Sequence, residues 1–339
     1  MNNKKMLCVS LFEEEGLSIS DVFDSQFISI ESFAIFGKPQ KIKSKVGIIL
    51  QELYSLCRLF LILHKVKGKF IYVTGGYYSL MLLNRIFPFL FVGSHFLICN
   101  FYLHSLGEKK VVEKVIKFLF DVFNCILIVQ TPYEKEKYSK LLEKAQVRFV
   151  PYCSDMKKGG DAEIKDYIFT GGYTNRDYQL MLKLAKRMPL QNFVFIASTL
   201  NVELKKSEIP NNVIVLYDVD TIIFEEYLSK SALVVIPLKE NVGASGQMLC
   251  LQAMRNRKII IYADVSSINY YFEKDSGIPY ELGNIDSLTE KIVYALENVS
   301  RLKDMGERAY DNSLRYTVRG RNELLLEIVK ESKYTFLYR

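Results

Sequence analysis

Short, uninterrupted apolar runs alternate with helix-period segments along almost the whole chain, and this constrains the fold more than any other feature. "CILIVQT" (125–131), "ALVVIPL" (232–238) and "IIIYAD" (259–264) are runs of four to six apolar residues rich in Val and Ile, each followed by a turn signal and a helical pattern. An antiparallel sheet with one wet face would alternate apolar and polar residues. Strands that read as continuous apolar runs belong to parallel sheets covered on both faces. Strand–helix–strand units of this kind predict an α/β fold with doubly wound, Rossmann-like sheets.

The rhythm runs twice. In the first half "MLCVSL", "FISIESFAIF", "FIYVTGG", "HFLICNFYL", "CILIVQT" and "VRFVPYC" read as strands. Between them "GIILQELYSLCRLFLILHKV", "YYSLMLLNRIF", "GEKKVVEKVIKFLFDVF" and "TPYEKEKYSKLL" read as helices, the last with Thr131 as N-cap and Pro132 in its first turn. The polar, glycine-containing "CSDMKKGGDAEIKD" (153–166) has no periodicity and reads as a linker. The second half restarts with "YIFTGG", "NFVFIAS" and "VIVLYD" as strands. At 339 residues the chain has room for two domains of about 150 each. The expected division is 1–155, 156–320 and a final helix, 321–339, packing back on the first domain.

Charge separates the halves. Residues 1–160 hold 22 Lys and Arg against 14 Asp and Glu, whereas the remainder holds 23 against 24. "KPQKIKSK" (38–45) and "HKVKGK" (64–69) are the densest basic stretches. A solvated surface explains them; so does attraction to anionic lipid headgroups, given the aromatics nearby. No recognition motif accompanies the charge, so nucleic acid is not an expected partner. The most membrane-like stretch, 86–103, contains Pro88, Gly93 and His95 and reads as helix, turn and strand rather than a span. The first apolar run is cut off by Glu13, Glu14 and Glu15, which fits a strand and not a signal peptide. The six cysteines form no CxxC pair and the three histidines are badly spaced for zinc, so reduced thiols and no protein-built metal site are expected.

Two glycine-bearing strand ends carry the chemistry. In "YIFTGGYTNRDYQ", Gly171 and Gly172 permit close backbone approach and Arg176 follows at the start of a helix. Bare amides, a helix N-terminus and a fixed cation suit a phosphate, although a structural turn needs the same glycines. In "ENVGASGQMLCLQAM", Ser245 reads as an N-cap, Gly246 leaves room for a ligand, and the amides of Gly246, Gln247 and Met248 point out of the helix end. The helix that follows is expected to bury Met248, Leu249, Leu251 and Met254, and a capped core helix is the alternative reading of the turn. Gln252 lies about two turns in from Ala244, toward the same cleft.

Residues 166–300 resemble the donor-binding domain of GT-B glycosyltransferases, in particular the large retaining group of sucrose synthases and bacterial polysaccharide glycosyltransferases. The similarity lies, in order, in "YIFTGGYTNRDYQLMLKLAKRMPLQNFVFIAS", "VIVLYDVDTIIFEEYLSKSALVVIPL", "SGQMLCLQAMRNRKIII" and "FEKDSGIPYELGNIDSLTEKI". The first half resembles a divergent acceptor domain, ending in "CILIVQTPYEKEKYSKLL" and "VRFVPYC". The resemblance implies two Rossmann-like domains facing a cleft and metal-independent, retaining transfer from a nucleotide-sugar, UDP-linked in expectation, to a glycan or lipid-linked glycan in surface polysaccharide biosynthesis. It puts Gly171 and Gly172 against the donor diphosphate and makes Arg176 the cation for the departing nucleoside diphosphate. Tyr217 to Val219 fall near the base, Ser245, Gly246 and Gln247 at the phosphates, and Gln252 at the ribose. Gly75 and Gly76 fall on the acceptor side, and His104 meets the donor sugar or the acceptor. The family's two glutamates, eight positions apart, are replaced by Ala244 and Gln252. The implied location is cytoplasmic, peripheral on the inner membrane face. A same-fold epimerase and a non-catalytic nucleotide- or glycan-binding partner are the other readings.

Overall fold

A computed structural model describes residues 5–10, 29–35, 45–99, 101, 110–155, 163–199, 201, 204–241, 243–273 and 275–336. The chain divides into two compact units, Met1–Pro151 with Asn322–Arg339 and Tyr152–Arg321. Hydrogen bonds explain why 152–155 go with the second. Tyr271 Oη donates to the Tyr152 carbonyl (2.7 Å), the Ser154 amide to Tyr316 (3.0 Å), and the Val318 amide to the Asp155 carboxylate (2.8 Å).

The first unit holds a six-stranded parallel sheet in the order β2-β1-β3-β4-β5-β6. Its strands are β1 (Lys5–Ser10), β2 (Ser29–Ala34), β3 (Phe70–Val73), β4 (His95–Ile98), β5 (Cys125–Val129) and β6 (Gln146–Phe149). Helices α1 (Lys45–Phe60), α2 (Tyr77–Ile86), α3 (Lys110–Phe120) and α4 (Pro132–Leu141) alternate with them. Successive strand residues point to opposite faces. Leu7, Val9, Ile71, Val73, Phe96 and Ile98 pack with Leu59, Leu80, Ile116 and Phe120 of the helices. Met6, Cys8, Tyr72, Leu97, Ile126 and Ile128 pack on the opposite face with Leu325 and Val329 of the last helix, α10 (Val318–Phe336). Thr131 caps α4 as expected: its hydroxyl accepts from the Glu134 amide (3.1 Å), and Glu134 reaches back to the Gln130 amide.

The second unit repeats the plan with strand order β12-β11-β10-β7-β8-β9, all parallel. These are β7 (Ile168–Gly171), β8 (Phe193–Ala197), β9 (Val213–Tyr217), β10 (Leu233–Ile236), β11 (Ile259–Ala263) and β12 (Ile278–Tyr280). Helices α5 (Tyr178–Arg187), α6 (Thr221–Lys230), α7 (Gln247–Arg255), α8 (Ile285–Glu297) and α9 (Lys303–Ser313) cover it. Every residue of β7, β8, β10 and β11 is buried, which is what their continuous apolar runs require.

In both sheets the winding reverses once: between β1 and β3 in the first unit, and between β7 and β10 in the second. Ligands of open parallel sheets bind in the crevice beyond the carboxyl ends of the strands at such a reversal.

Candidate functional site

The two glycine-bearing loops singled out in the sequence follow β7 and β10, so they flank the reversal point of the second sheet. They are sewn together by backbone. Arg176 and Leu238 form an antiparallel bridge, the Asp177 amide donates to Pro237 (3.0 Å), and the Lys239 amide donates to Asn175 (3.1 Å). Asn175 sits at φ 54°, in the left-handed region. That turn directs its side-chain amide to the Glu240 carbonyl (2.8 Å) and to Ser245 Oγ (3.0 Å).

Arg176 does not project along the helix that follows. Asp177 caps α5 by accepting from the Leu180 amide (2.9 Å), and Arg176 folds back underneath the strand end. Its Nε donates to the Gly171 carbonyl (2.8 Å) and Nη1 to Thr174 (2.8 Å). The side chain is only 5% exposed, and burial pulls its pKa below the ordinary guanidinium value. No carboxylate ion-pairs with it among the described residues. A buried cation held only by carbonyls carries an unneutralised charge, and low local dielectric makes that charge attractive to an anion. The glycines are required here. A Cβ on Gly172, at φ 103°, would stand 2.7 Å from Arg176 Nη2, and one on Gly171 would stand 2.7 Å from Phe224 of α6.

At the second loop the structure corrects the expected cap. Gly246, at φ 84°, is the N-cap of α7 and supplies no side-chain bond. Ser245 lies one residue outside the helix and its hydroxyl is taken by Asn175. A left-handed residue ends the turn that Ser245 would have had to make, so only glycine serves there. Gln247 is buried, with Nε2 donating to Tyr270 Oη (2.7 Å). Met248, expected in the core, is 51% exposed, whereas Leu249, Leu251 and Met254 are buried as expected. The first turn of α7 thus has no side-chain cap from its N-cap residue, and the positive end of its dipole lies at this loop.

Gln252 faces a neighbour that the sequence reading did not include. It is 3% exposed and donates from Nε2 to Glu225 Oε1 on α6 (2.7 Å); Asn256 donates to the other carboxylate oxygen (3.3 Å). Burial raises the Glu225 pKa, and the bonds from Gln252 and Asn256 oppose that rise. Gln252 Oε1 is buried with no hydrogen-bond partner. A carboxylate is therefore present beside position 252, supplied by the next helix over. Nothing in "TIIFEEYLSK" marks Glu225, because only the packing of α6 on α7 creates the pair. Asn175 had a faint signal, an Asn after a Gly–Gly turn, where left-handed residues are common.

Tyr217 ends β9, is 39% exposed, and donates its hydroxyl to the Leu204 carbonyl (3.2 Å). Asp218, at φ 49°, accepts from Thr199 Oγ1 (2.6 Å), and Val219 packs partly buried on the core before α6 begins. These three residues form the end of β9 and the turn after it, two strands away from β7. In the first unit Gly75 and Gly76 follow β3, next to that unit's reversal point, and both are buried. Gly76 (φ 66°) caps α2, and a Cβ there would stand 2.3 Å from Ile35 Cδ1, so this turn is filled by side chain. His104 lies outside the described residues, as do 38–44.

No protein-family model and no curated protein matches the sequence. Solved structures do. Sucrose-phosphate synthase from Thermosynechococcus elongatus superposes with a TM-score of 0.73 at 10% identity, covering 98% of this chain and 100% of that one. HepE from Anabaena, solved with UDP and glucose, gives 0.68 at 13% identity over 97% and 100%. A glycosyltransferase from Rickettsia africae gives 0.67 at 11% identity over 98% and 99%. At such identities it is architecture that is shared. With two six-stranded parallel sheets, each reversing once, the chain has the GT-B fold expected from its sequence.

Proposed function

We propose that the protein is a glycosyltransferase that moves a sugar from a nucleoside-diphosphate sugar to a hydroxyl of a glycan or lipid-linked glycan. The observation that carries this reading is Arg176, a buried guanidinium without an ion-pair partner among the described residues, lying under a bare Gly–Gly turn. The uncapped end of α7 lies beyond the adjacent strand of the same sheet. A diphosphate accepts from amides and guanidinium alike, and its charge would relieve the cost of keeping Arg176 buried. UDP is the favoured nucleotide, because HepE, of the same fold, is solved with UDP and with UDP-glucose.

In the reaction, the bond between the anomeric carbon and the diphosphate oxygen breaks. Negative charge grows on that oxygen, where Arg176 and the amides of Gly246, Gln247 and Met248 would stabilise it without a metal. The acceptor hydroxyl bonds to the anomeric carbon on the face that the diphosphate leaves, and passes its proton to the departing phosphate, which retains configuration. Gln252, paired with Glu225, holds the ribose. Tyr217 to Val219 line the base. Gly75, Gly76 and His104 are assigned to the acceptor side. Surface polysaccharide synthesis at the cytoplasmic membrane face is the setting that this acceptor class implies.

A second reading, a nucleotide- or glycan-binding partner without activity, is favoured by Ala244 and Gln252, which stand where the family resemblance implies glutamates. Two measurements test both. A thermal-shift screen of nucleoside diphosphates should raise the melting temperature with one base; at 100 times the dissociation constant the stabilisation is about 2.7 kcal/mol. Transfer or hydrolysis is then followed with nucleotide-sugars of that base. Absence of any stabilisation would defeat both readings, and stabilisation without turnover would favour the second.

A further inference from the structure

The first unit has an outer surface unlike the rest of the molecule. Helix α3 buries Ile116, Leu119 and Phe120 against the sheet, yet a second apolar stripe, Val111, Val115 and Phe118, faces outward at helical spacing. These three are 72, 47 and 57% exposed. Helix α1 does the same with Leu53, Tyr54 and Phe60. Between these helices, Phe89 after α2 is 63% exposed.

These side chains are connected. The rings of Phe60 and Phe87 are 6.1 Å apart, and those of Phe87 and Phe89 6.2 Å. The Arg85 guanidinium lies over the Phe118 ring (5.4 Å), and Lys144 Nζ over Phe123 (5.7 Å). The apolar patch therefore runs from the end of α1 across α2 to α3, with cations standing at the foot of exposed aromatics. Arg85, Lys144, Asn84 and Asn124 also line a pocket of about 450 Å³ at the patch edge.

Charge is one-sided. From Leu53 to Phe123 the described residues carry eight Lys and Arg against two carboxylates, Glu113 and Asp121. Glu113 lies 4.0 Å from Lys137, and Asp121 is buried, accepting from the Lys144 amide (2.6 Å). Glu143, next to Lys144 in the chain, pairs with Lys117. A contiguous apolar surface ringed by cations is costly in water. It matches an anionic bilayer interface, where aromatic rings sit at headgroup depth and each cation adds attraction.

We infer that the outer face of α1, α2 and α3 docks on an anionic lipid surface, with Arg85 and Lys144 meeting headgroup phosphates. A second copy of the chain is a poor occupant, because a two-fold contact would oppose like charges. This deepens the lipid-linked acceptor part of the proposed function. Its test needs neither donor nor acceptor, so the two can fail separately.

The experiment is flotation of the full chain with vesicles of phosphatidylcholine, alone or mixed with phosphatidylglycerol. Binding should be stronger on the anionic vesicles by on the order of tenfold or more, since each lysine near the surface adds attraction. The double variant Phe89→Glu/Phe118→Glu should lose at least about tenfold by swapping buried apolar area for like charge. Its exposed positions leave the fold intact, checked by an unchanged nucleoside diphosphate thermal shift. Lys110→Gln/Lys114→Gln should weaken binding to anionic vesicles alone. Val293→Glu, exposed on the other unit, should change nothing. Equal binding to both vesicle types, undiminished binding by the phenylalanine variant, equal loss with Val293→Glu, or a solution dimer that the phenylalanine variant dissociates would overturn the inference.

Discussion

The two sheets reverse their winding at equivalent places, and the two reversal points are built differently. In the second unit the loops after β7 and β10 are laced together by the two backbone hydrogen bonds of the Arg176–Leu238 bridge and by Asn175, and a cation is locked beneath them. In the first unit the turn after β3 is packed by Ile35, and the nearby helix start belongs to an aromatic cluster of Tyr77, Tyr78, Phe101 and Phe120. One site presents amides and charge, the other rings and methyl groups. The same winding therefore supports either a cation-bearing turn or an apolar wall, and side chains at two or three turn positions decide between them.

Four substitutions probe that contrast. The largest effect is expected for Arg176→Met, which keeps volume and removes the charge. Loss of a preorganised electrostatic contact costs roughly 100- to 1,000-fold in turnover, while melting should move little because an unpaired buried charge disappears. Near-normal initial rates with saturating donor would dissolve the distinction between the two sites.

Next comes Gly76→Ala. The new Cβ meets Ile35 Cδ1, the movable end of a side chain, at 2.3 Å, so the loss in the first unit should come mainly from alanine on a left-handed backbone, about 1–2 kcal/mol. Calorimetric titration should still find nucleoside diphosphate affinity unchanged below the transition. A parallel loss of affinity would mean the two units are not independent in this respect. Gly172→Ala should do the reverse, lowering diphosphate affinity on the order of tenfold by pushing Arg176 aside (2.7 Å) with a smaller change in melting.

Gln252→Leu is the mildest. It should weaken a nucleoside diphosphate several-fold, losing about 1 kcal/mol of hydrogen bonding, and leave inorganic pyrophosphate untouched. Competition between the two ligands measures this directly; equal weakening of both would place Gln252 at the phosphates instead of the ribose.

Much of the fold is local in origin. A run such as "ALVVIPL" can only be buried on both sides, and that property, repeated along the chain, dictates parallel sheets before any contact is known. The Thr131 cap and the paired glycines at 171 and 172 are equally local, because a capping hydroxyl or a bare Cα acts on its own neighbours. Side-chain destinations are another matter. Ser245 looked like a cap and is a partner of Asn175, 70 residues earlier; Met248 looked buried and faces out; Gln252 found Glu225, from a helix that gives no sign of it in sequence. Sequence by itself determined the architecture and the two loops where chemistry can occur, since these follow from periodicity and backbone permissiveness. Tertiary structure alone decided that Arg176 turns inward with no carboxylate beside it among the described residues, and that the apolar stripes of α1 and α3 meet through Phe87 and Arg85. Charge balance and patch continuity are properties of distance in space, and distance along the chain does not contain them.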